Sequence, residues 1–325
     1  MKPTPIGSNL TDYRTSLMTL IRGLNKLQAE HKPCVASIGN YDGVHLGHQY
    51  VIATLLEHSQ RLGLPSTVIT FEPLAKEYFR PNSVQRLTTI EHRAELLKAQ
   101  GVDQVLCVDF DQAFASYSPI GFIQDVLIDG LGIKHLCVGD DFRFGKDRQG
   151  DFALLTEVGQ SSGFAVSAHQ TFELDGQRVS SGRIREALGQ GDFKLAEALL
   201  GRPYTISGEI SRGQQLGRTI NYPTANIVLP KMLMPINGVF AVTAKLHDGE
   251  IVHSVANVGN RPTVGGKENR LEVHLFDFDR DIYHQSMTVN FVEKIRDELK
   301  FDSFDDLKAQ IEKDAARARV ILSVI

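Results

Sequence analysis

Two hydrophobic patterns follow one another along the chain. Between about residues 34 and 170, short apolar runs alternate with segments whose apolar residues recur at helical spacing. The apolar runs are nearly continuous, as expected of parallel strands covered on both faces. The predicted strands are 34–38, 66–71, 104–110, 134–139 and 164–169, and the predicted helices are 47–62, 89–100, 119–131 and 151–162. This alternation predicts an α/β doubly wound parallel sheet.

The pattern changes near residue 190. Four later segments, "GVFAVTAKL", "EIVHSVANV", "NRLEVHLFDF" and "SMTVNFVEKI", are strand-like and separated by turn residues, which predicts a small antiparallel β-barrel. A last helical pattern follows Ser303, which with Asp306 resembles a capping box. Gly and Pro residues mark the boundary between the halves. The predicted organisation is a domain over 18–188, a linker over 189–202 and a domain over 203–325, with 1–17 expected to be disordered.

Composition narrows the class of protein. The 325 residues are 42% hydrophobic and 23% charged, as in globular proteins. The net charge of −4 argues against sequence-independent binding to nucleic acid. No apolar run approaches the roughly 18 residues that span a membrane, and the apolar stretch near the start is too short for a secretory signal. The three cysteines are interpreted as buried reduced thiols, so we expect a cytoplasmic protein with neither nucleic acid nor a membrane as partner.

The segment "IGNYDGVHLGHQ" (38–49) joins the first predicted strand to the first predicted helix. It lies at the carboxyl edge of the sheet, where open α/β folds bind ligands. The helix N-terminus offers N–H groups and a partial positive charge that favour phosphate. Its glycines allow close backbone approach, and His45 and His48 supply hydrogen-bond donors for charge on an attacked phosphorus. We predict that this turn binds phosphate.

The two histidines have another interpretation. One of them would cap the helix, and the other would be an ordinary polar surface residue. For this spacing alone, both interpretations stay open. A metal site is less favoured, because no Glu lies between the histidines as it does in HExxH motifs.

A second stretch, "VSSGRIREAL" (179–188), follows the last predicted strand and opens a helix. Ser180 and Ser181 are candidate caps, and Arg185 is a candidate fixed cation for polyphosphate. By itself, the stretch is also typical of a capped surface helix.

A third stretch, "VGDDFRFGKDRQGD" (138–151), leaves a predicted strand. Its aromatic and acidic residues suit a flat heteroaromatic ligand with polar edges. A plain glycine-rich loop in which Phe142 and Phe144 pack inward is an equally good interpretation of the stretch alone.

Taken together, these stretches resemble one known family. "GNYDGVHLGH" resembles the G-x-F-D-G-x-H-x-G-H signature of bacterial FAD synthetases, and "TFEP", "VGDDFRFG" and "SSGRIR" follow in that family's order. Downstream, "LGRTINYPTANI", "NVGNRPTVGG" and "LEVHLFDFDRDIY" resemble the riboflavin kinase module. The resemblance covers about residues 18–320. It implies a Rossmann-like nucleotidylyltransferase domain followed by a small antiparallel β-barrel with a C-terminal helix.

The resemblance implies two reactions with riboflavin, FMN and ATP as substrates and Mg²⁺ as cofactor. Riboflavin and ATP would give FMN, and FMN and ATP would give FAD and pyrophosphate. In the first half, His45 and His48 would hold ATP and stabilise the transition state at the α-phosphorus. The other residues implied to bind ATP or phosphate there are Gly39, Asn40, Asp42, Gly47, Ser180, Ser181 and Arg185, the last also catalytic, and Asp141 and Phe142 would face the flavin.

In the second half, the resemblance implies a separate kinase site. Glu272 would be the general base for the riboflavin hydroxyl, although a solvent-facing strand acid has the same pattern. Arg296 would contribute to the flavin pocket. The remaining implied residues are Gly213 and Gly217 in a phosphate-covering loop, and Thr224 and Asn226 at Mg²⁺.

The chain departs from the family pattern at several positions. Leu74 and Ala75 stand where His-Pro is frequent, so a ligand contact would be lost or supplied elsewhere. The other departures are Tyr41 for Phe, Gly182 for Thr, and Asn221 and His284 where Gly is usual.

Two alternative functions are compatible with parts of this pattern. The first is a monofunctional FMN adenylyltransferase whose barrel binds flavin without catalysis, and the presence of Thr224, Asn226 and Glu272 argues against it. The second is an RNA-binding protein, and the acidic balance argues against that.

Overall fold

The fold is described from a computed structural model that covers residues 18–212, 223–229, 233–263 and 266–324, with the side chains of 260–263 and 266–269 left aside. The first half contains a parallel sheet with its covering helices. Its elements are β1 (Thr19–Arg22), β2 (Val35–Ile38), α1 (Leu46–Leu62), β3 (Ser66–Glu72), α2 (Ala75–Phe79), α3 (Ile90–Ala99), β4 (Gln104–Asp109), α4 (Gln112–Ala115), α5 (Pro119–Gly121) continued by a π-helix (Phe122–Gly130), β5 (His135–Gly139), α6 (Phe152–Ser162), β6 (Ala165–His169), β7 (Glu173–Leu174), β8 (Gln177–Arg178), α7 (Ser181–Gln190) and α8 (Phe193–Leu200), with single 3₁₀ turns at Leu24–Lys26, Ala29–His31 and Lys146–Arg148.

The sheet has the order β1-β4-β3-β2-β5-β6, and all its pairs are parallel. From β2 the chain adds β3 and β4 on one side, then returns to add β5 and β6 on the other. The topological switch point therefore lies between the carboxyl ends of β2 and β5, where doubly wound sheets bind ligands. The five predicted strands are confirmed, whereas the short edge strand β1 was not predicted.

Both faces of the sheet are covered, which explains the nearly continuous apolar strands. On one face, Ile52 and Leu55 of α1 pack against Val35 and Val68. On the other face, the π-helix and α6 pack against the opposite side chains of β2, β4 and β5. The helix predicted over 119–131 is mostly π-helical, since the N–H of Leu131 donates to the Val126 carbonyl at 3.0 Å.

The second half forms a closed barrel with the order β10-β13-β12-β11-β14-β9, in which every neighbouring pair is antiparallel. The predicted fold class is confirmed. The strands β9 and β10 were not predicted, because loop signals surround them. The elements are β9 (Thr205–Ser211), β10 (Ala225–Val228), β11 (Gly238–Leu246), β12 (Ile251–Thr263), β13 (Gly266–Leu275), β14 (Ser286–Arg296) and α9 (Phe304–Leu322).

The C-terminal helix α9 packs on the outside of the barrel. The Ser303 hydroxyl accepts from the N–H of Asp306 at 3.1 Å, which confirms the predicted cap. The buried face of α9 includes Ala315, Ala318 and Leu322. None of the helices within the described residues is long and apolar enough to cross a membrane.

The helices α7 and α8 connect the two halves. Phe193 at the start of α8 packs against Phe240 and Phe291 of the barrel, so part of the segment predicted as a linker is helical. A backbone hydrogen bond of 2.8 Å from the N–H of Arg86 to the Leu233 carbonyl also joins the halves. The predicted domain boundaries stay a prediction.

Gly238 at the start of β11 provides a test of the barrel. Its φ is +120°, and an added Cβ would clash with the Arg296 carbonyl oxygen. Gly249 has a φ of +90° but open space around it within the described chain. We expect Gly238→Ala to lower the free energy of unfolding by more than about 3 kcal/mol, and Gly249→Ala by about 1 kcal/mol, since only the first adds a steric overlap. Denaturant unfolding measures both, and equal losses would contradict this packing.

Candidate active sites

The turn after β2 has an unusual backbone. Tyr41, Gly43 and Val44 have positive φ angles of 48°, 86° and 39°. A positive φ is rare for a β-branched residue, and such strain persists only where surrounding contacts fix it. Arg202 donates to the carbonyl oxygens of Gly43 at 2.7 Å and Val44 at 3.2 Å, and Gln49 donates to that of Val44 at 3.0 Å. These bonds hold the turn in its strained conformation.

The Asp42 carboxylate is the centre of this turn. Asp42 is 1% exposed. Its carboxylate accepts hydrogen bonds of 3.0–3.1 Å from the N–H groups of Leu87 and Thr88 and from the Thr88 hydroxyl. The Arg185 guanidinium lies 2.5 Å away in an ion pair. The Ser181 hydroxyl donates to the Asp42 carbonyl at 2.9 Å. The turn, the segment before α3 and the start of α7 are thereby joined.

The histidines of the turn lie together. His45 is the N-cap of α1: its Nδ1 accepts from the N–H of His48 at 3.2 Å. The two imidazoles stack with centroids 3.6 Å apart, and an added Cβ on Gly47 would lie 3.2 Å from the His45 ring. Gly47 therefore makes room for an imidazole. The N–H groups of Leu46 and Gly47 belong to the first helical turn and lack an intrahelical carbonyl.

Both imidazoles are neutral near pH 7. Burial lowers the pKa of His45 to about 4, against the opposing effect of Asp42. Burial, followed by the neighbouring His45 and Arg93, holds the pKa of His48 well below its usual range. Because His45 Nδ1 accepts a hydrogen bond, its proton lies on Nε2. The Nδ1 atom of His48 is buried and has no hydrogen-bond partner among the described residues.

The first two positions of the motif shape the end of β2. The N–H of Gly39 continues the sheet by donating to Ile69 at 3.0 Å, and the Asn40 carbonyl accepts from the Thr70 hydroxyl at 3.0 Å. An added Cβ on Gly39 would lie 3.1 Å from the Tyr41 ring. These residues thus position the backbone ahead of Asp42.

The residues predicted on α7 contact the histidine turn through a hydroxyl and through a guanidinium. Ser180 is the N-cap and accepts from the N–H of Arg183 at 3.3 Å, while Ser181 bonds to the turn. The side chain of Arg185 is 22% exposed, pairs with Asp42 and donates through Nε to the Gln85 carbonyl. Ser180, Ser181 and Arg185 therefore lie beside the histidine turn.

One buried cation near the turn was missed in the sequence. Arg93 is 0% exposed, and its Nη1 donates to the Thr70 hydroxyl at 2.9 Å. Its Nε and Nη2 have no partner among the described residues, nor has Oε2 of Glu72, whose Oε1 lies 2.6 Å from Arg86. A single arginine in the amphipathic pattern of α3 gives no signal of this position.

The loop after β5 carries the predicted flavin residues. Asp141 is exposed and pairs with Arg178 at 2.9 Å. The Phe142 ring stacks on Phe144 with centroids 5.6 Å apart and packs on the sheet core. The loop lies at the switch point. Phe142 and Phe144 also pack inward, as expected for a plain glycine-rich loop.

The barrel has a polar row on its outer surface. Asn226 of β10 pairs in register with Ser211 and Glu272, and Glu272 pairs with Asn257. Since paired residues project to the same face and the flanking side chains fill the barrel interior, this row faces outward. Glu272 lies 3.5 Å from Arg270 in a weak ion pair.

The segment before β10 is anchored next to this row. The Pro223 carbonyl lies 2.8 Å from Nδ1 of His274, and the Thr224 carbonyl accepts from the Asn226 amide at 3.4 Å. Thr224, Asn226 and Glu272 therefore place hydroxyl, amide and carboxylate oxygens on adjoining positions. Gly213, Gly217 and the departure Asn221 lie outside the described residues.

Arg296 is held by α9. Its Nε and Nη2 donate to the buried Asp314 carboxylate at 2.7–3.0 Å, and its Nη1 donates to the Asp297 carbonyl at 2.8 Å. Gln310 donates to the same carboxylate at 2.9 Å. This arrangement fastens α9 to the end of β14.

Three departures have structural counterparts. Leu74 is buried and stands as the N-cap of α2 without a side-chain cap. The Tyr41 hydroxyl, which Phe would lack, lies 2.6 Å from the buried Ser37 hydroxyl. His284 has a φ of +62°, a conformation that favours glycine.

A helix N-terminus, buried imidazoles and an arginine at a switch point define a nucleotide-phosphate-binding α/β protein, here joined to a barrel with a polar outer row. The family model of FAD synthetase matches residues 27–183, and that of riboflavin kinase matches residues 200–322. The bifunctional riboflavin kinase/FMN adenylyltransferase of Pseudomonas fluorescens is 48% identical over 94% of this chain and 98% of its own. The protein of that name from Haemophilus influenzae is 47% identical over 94% and 100%.

A solved structure agrees with these matches in fold. A Streptococcus pneumoniae crystal structure, described as a macrolide-efflux protein, is 31% identical with a TM-score of 0.75, covering 91% of this chain and 97% of its own. The chain belongs to the bifunctional riboflavin kinase/FMN adenylyltransferase family. The family resemblance found in the sequence is confirmed.

The pKa of His45 predicts a pH dependence of stability. Its folded pKa of about 4 lies below the usual value near 6.5, so the unfolded chain binds the proton more readily. His45 therefore contributes stability that is present above about pH 6.5 and is lost as the pH falls towards 4, by about 3 kcal/mol at most. We expect His45→Asn, which keeps a capping side chain, to flatten this loss.

Denaturant unfolding between pH 7 and pH 4 measures the effect. The exposed His247 serves as the control, because His247→Asn leaves the buried site unchanged. An unfolding curve for His45→Asn with the same pH slope as the wild type would show that His45 is not kept neutral by burial.

Proposed function

We propose that this chain makes FMN from riboflavin and then FAD from FMN, using ATP in both steps. The adenylyltransferase domain would comprise residues 18–188, the linker 189–202 and the kinase domain 203–325. The observation that carries the first activity is the stacked pair of neutral imidazoles beside a helix N-terminus at the switch point. The buried reduced cysteines support a cytoplasmic location.

In the adenylyl transfer, a phosphate oxygen of FMN attacks the α-phosphorus of ATP, and pyrophosphate leaves in line. The protein contributes positioning and electrostatic stabilisation, since no covalent intermediate is needed. The Nε2–H of His45 and the N–H of the His48 imidazole donate to oxygens on the attacked phosphorus. The first-turn amides of α1 at Leu46 and Gly47 add a partial positive charge in the same direction.

Neutrality of the imidazoles suits this task. A stacked pair of charged rings 3.6 Å apart would repel each other. A neutral ring donates one hydrogen bond whose strength increases as negative charge builds up on the phosphoryl oxygens. The geometry therefore favours stabilisation of the transition state over tight binding of the substrate.

The start of α7 would bind the pyrophosphate that leaves. Ser180 and Ser181 place hydroxyls at the helix N-terminus, and the Arg185 guanidinium adds N–H donors there. Gly39 and Asn40 fix the backbone approach to the turn. Asp42 acts as the anchor of Arg185. For the flavin, the loop with Asp141 and Phe142 offers an acid and an aromatic face.

In the kinase reaction, the riboflavin 5′-hydroxyl attacks the γ-phosphorus of ATP, and ADP leaves. Glu272 accepts the proton of that hydroxyl as general base. The outward position of Glu272 next to Asn226 and Asn257 supports this role, because the barrel interior is filled by apolar side chains. Gly213 and Gly217 would belong to the loop that covers the phosphates. Arg296 would act near the flavin while fastened to Asp314.

The kinase site suits Mg²⁺. A hydroxyl, an amide oxygen and a carboxylate are hard oxygen donors of the kind that Mg²⁺ prefers. Thr224 and Asn226 would hold the ion, and Glu272 lies opposite Asn226 in the sheet register. When bound, Mg²⁺ neutralises polyphosphate charge, while the side chains orient the hydroxyl.

Product analysis tests the two-site proposal. Riboflavin, ATP and Mg²⁺ are mixed with the full chain, and flavins are separated by chromatography. We expect His48→Ala to form FMN normally but to lower FAD formation by about 10²–10³-fold. We expect Glu272→Gln to lower FMN formation by about 10²–10⁴-fold while converting supplied FMN into FAD at the wild-type rate.

Matched controls keep this test specific. His247→Ala removes an exposed imidazole, and Glu209→Gln removes an outward carboxylate from another barrel strand. Both should retain both activities. Loss of FMN formation in His48→Ala, or loss of FAD formation from supplied FMN in Glu272→Gln, with an unchanged circular dichroism spectrum, would contradict separate sites. Retained FMN formation in Glu272→Gln would exclude its role as the base.

A further inference from the structure

A second cluster of metal-binding side chains lies away from both sites. His58 lies on α1, more than two helical turns after His48. His135 and Cys137 lie on β5, which α1 covers. One candidate ligand atom from each residue lies within 4.8 Å of the others. His135 and Cys137 are buried, and His58 is half-buried, so the cluster has a route to solvent along α1.

We propose that His58, His135 and Cys137 form a binding site for Zn²⁺. Two imidazoles and a thiolate are the mixed nitrogen and sulfur ligands that Zn²⁺ accepts. In a tetrahedral site with such ligands, the donor atoms lie about 3.3–3.7 Å apart. Since the present separations are within 4.8 Å, the site requires a closure of no more than about 1 Å.

The surroundings provide the rest of the site. The Ser167 hydroxyl on the neighbouring strand β6 lies 3.0 Å from His135 Nε2 and 3.6 Å from the Cys137 sulfur. This hydroxyl, or a water bonded to it, would supply the fourth ligand of a tetrahedral site. His169 lies on the same face of β6, and its buried Nε2 has no hydrogen-bond partner within the described part of the chain.

The metal-free arrangement opposes binding at two points. The rings of His58 and His135 stack with centroids 3.7 Å apart, so they must tilt to direct a nitrogen from each towards one ion. The exposed Arg61 donates to Nδ1 of His58 at 2.7 Å and brings a positive charge. Removal of Arg61 should therefore strengthen zinc binding, an effect opposite to the loss of a ligand.

Protonation also matches this ligand set. Burial, followed by the charge effect of His58, lowers the pKa of His135 to about 4, so its imidazole is neutral and has a lone pair for a metal. Burial raises the pKa of the Cys137 thiol to about 11. Zn²⁺ would displace this proton to the buffer as the Zn–S bond forms.

Zinc at this position would join α1 to β5. The N-terminus of α1 carries His45, and the end of β5 leads into the loop with Asp141. Binding to the folded chain alone raises its stability by mass action. The thermal midpoint should therefore rise with zinc concentration, independently of either reaction.

Cobalt substitution is the direct test. The metal-free full chain, kept reduced with a phosphine, is titrated with Co²⁺, and Zn²⁺ is then added in competition. We expect one Co²⁺ per chain with a thiolate-to-cobalt absorption band and intense visible bands of a tetrahedral ion. Absence of the thiolate band in the wild type would overturn the proposal.

Variants assign the ligands. We expect His58→Asn, at a half-buried position, to weaken Zn²⁺ at least tenfold, and Cys137→Ser to abolish the thiolate band. Cys107→Ser, which changes another buried cysteine, should keep the band. If Cys137→Ser fails to fold by circular dichroism, His58→Asn alone decides, and unchanged affinity in it would refute the site. Arg61→Gln should bind more tightly, and weaker binding in it would contradict the geometry.

Discussion

The buried carboxylate of Asp42 is the constraint on which the geometry of the histidine turn, the proposed nucleotide site, depends. A charge at 1% exposure is costly unless it is paired and hydrogen-bonded. Leu87 and Thr88 supply donors from the segment before α3, and Arg185 supplies the opposite charge from α7. Three segments distant in sequence must therefore come together before the carboxylate is satisfied, and they converge on the turn that carries the histidines.

This pairing sets the limits of what Arg185 can do for a ligand. A guanidinium has five N–H donors, and the contacts to Asp42 and Gln85 leave others available to phosphate. Its net charge, however, is already balanced by Asp42. The attraction for a polyphosphate at this point must then rely on oriented N–H groups, including the first turn of α1. Neutral His45 and His48 fit such a site, because they add donors without adding a repelling pair of charges.

Much of the fold was predictable because it depends on local patterns. The nearly continuous apolar runs predicted five strands of the sheet, and the caps Ser180 and Ser303 marked helix starts that the structure confirms. The strands β9 and β10 were missed because they are short, and Gly and polar residues surround them. The edge strand β1 was missed because it has only four residues, of which Ile21 alone is buried.

The sequence singled out residues of the histidine turn and of α7 that the structure brings together, but it did not predict their contacts. The histidine motif pointed to a phosphate site, yet the two interpretations of His45 turned out to be compatible: Nδ1 caps the helix, and Nε2 keeps a proton for a ligand. The pair of Asp42 with Arg185 spans 143 positions, and no local pattern encodes it. The burial of Arg93 was not predicted either, because its contact with Thr70 joins residues far apart in the sequence.

The strained turn after β2 is also held by a residue outside the part of the chain that matches FAD synthetase. The FAD synthetase match ends at residue 183, whereas Arg202, which donates to Gly43 and Val44, lies inside the riboflavin kinase match that begins at residue 200. Burial lowers the pKa of Arg202 to about 10, which still leaves it charged at neutral pH. A positive φ at Val44 needs such outside bonds, since its β-branched side chain disfavours that conformation. The geometry of the histidine turn is therefore a property of the joined chain, in which Arg202, directly after α8, holds the turn from the barrel side.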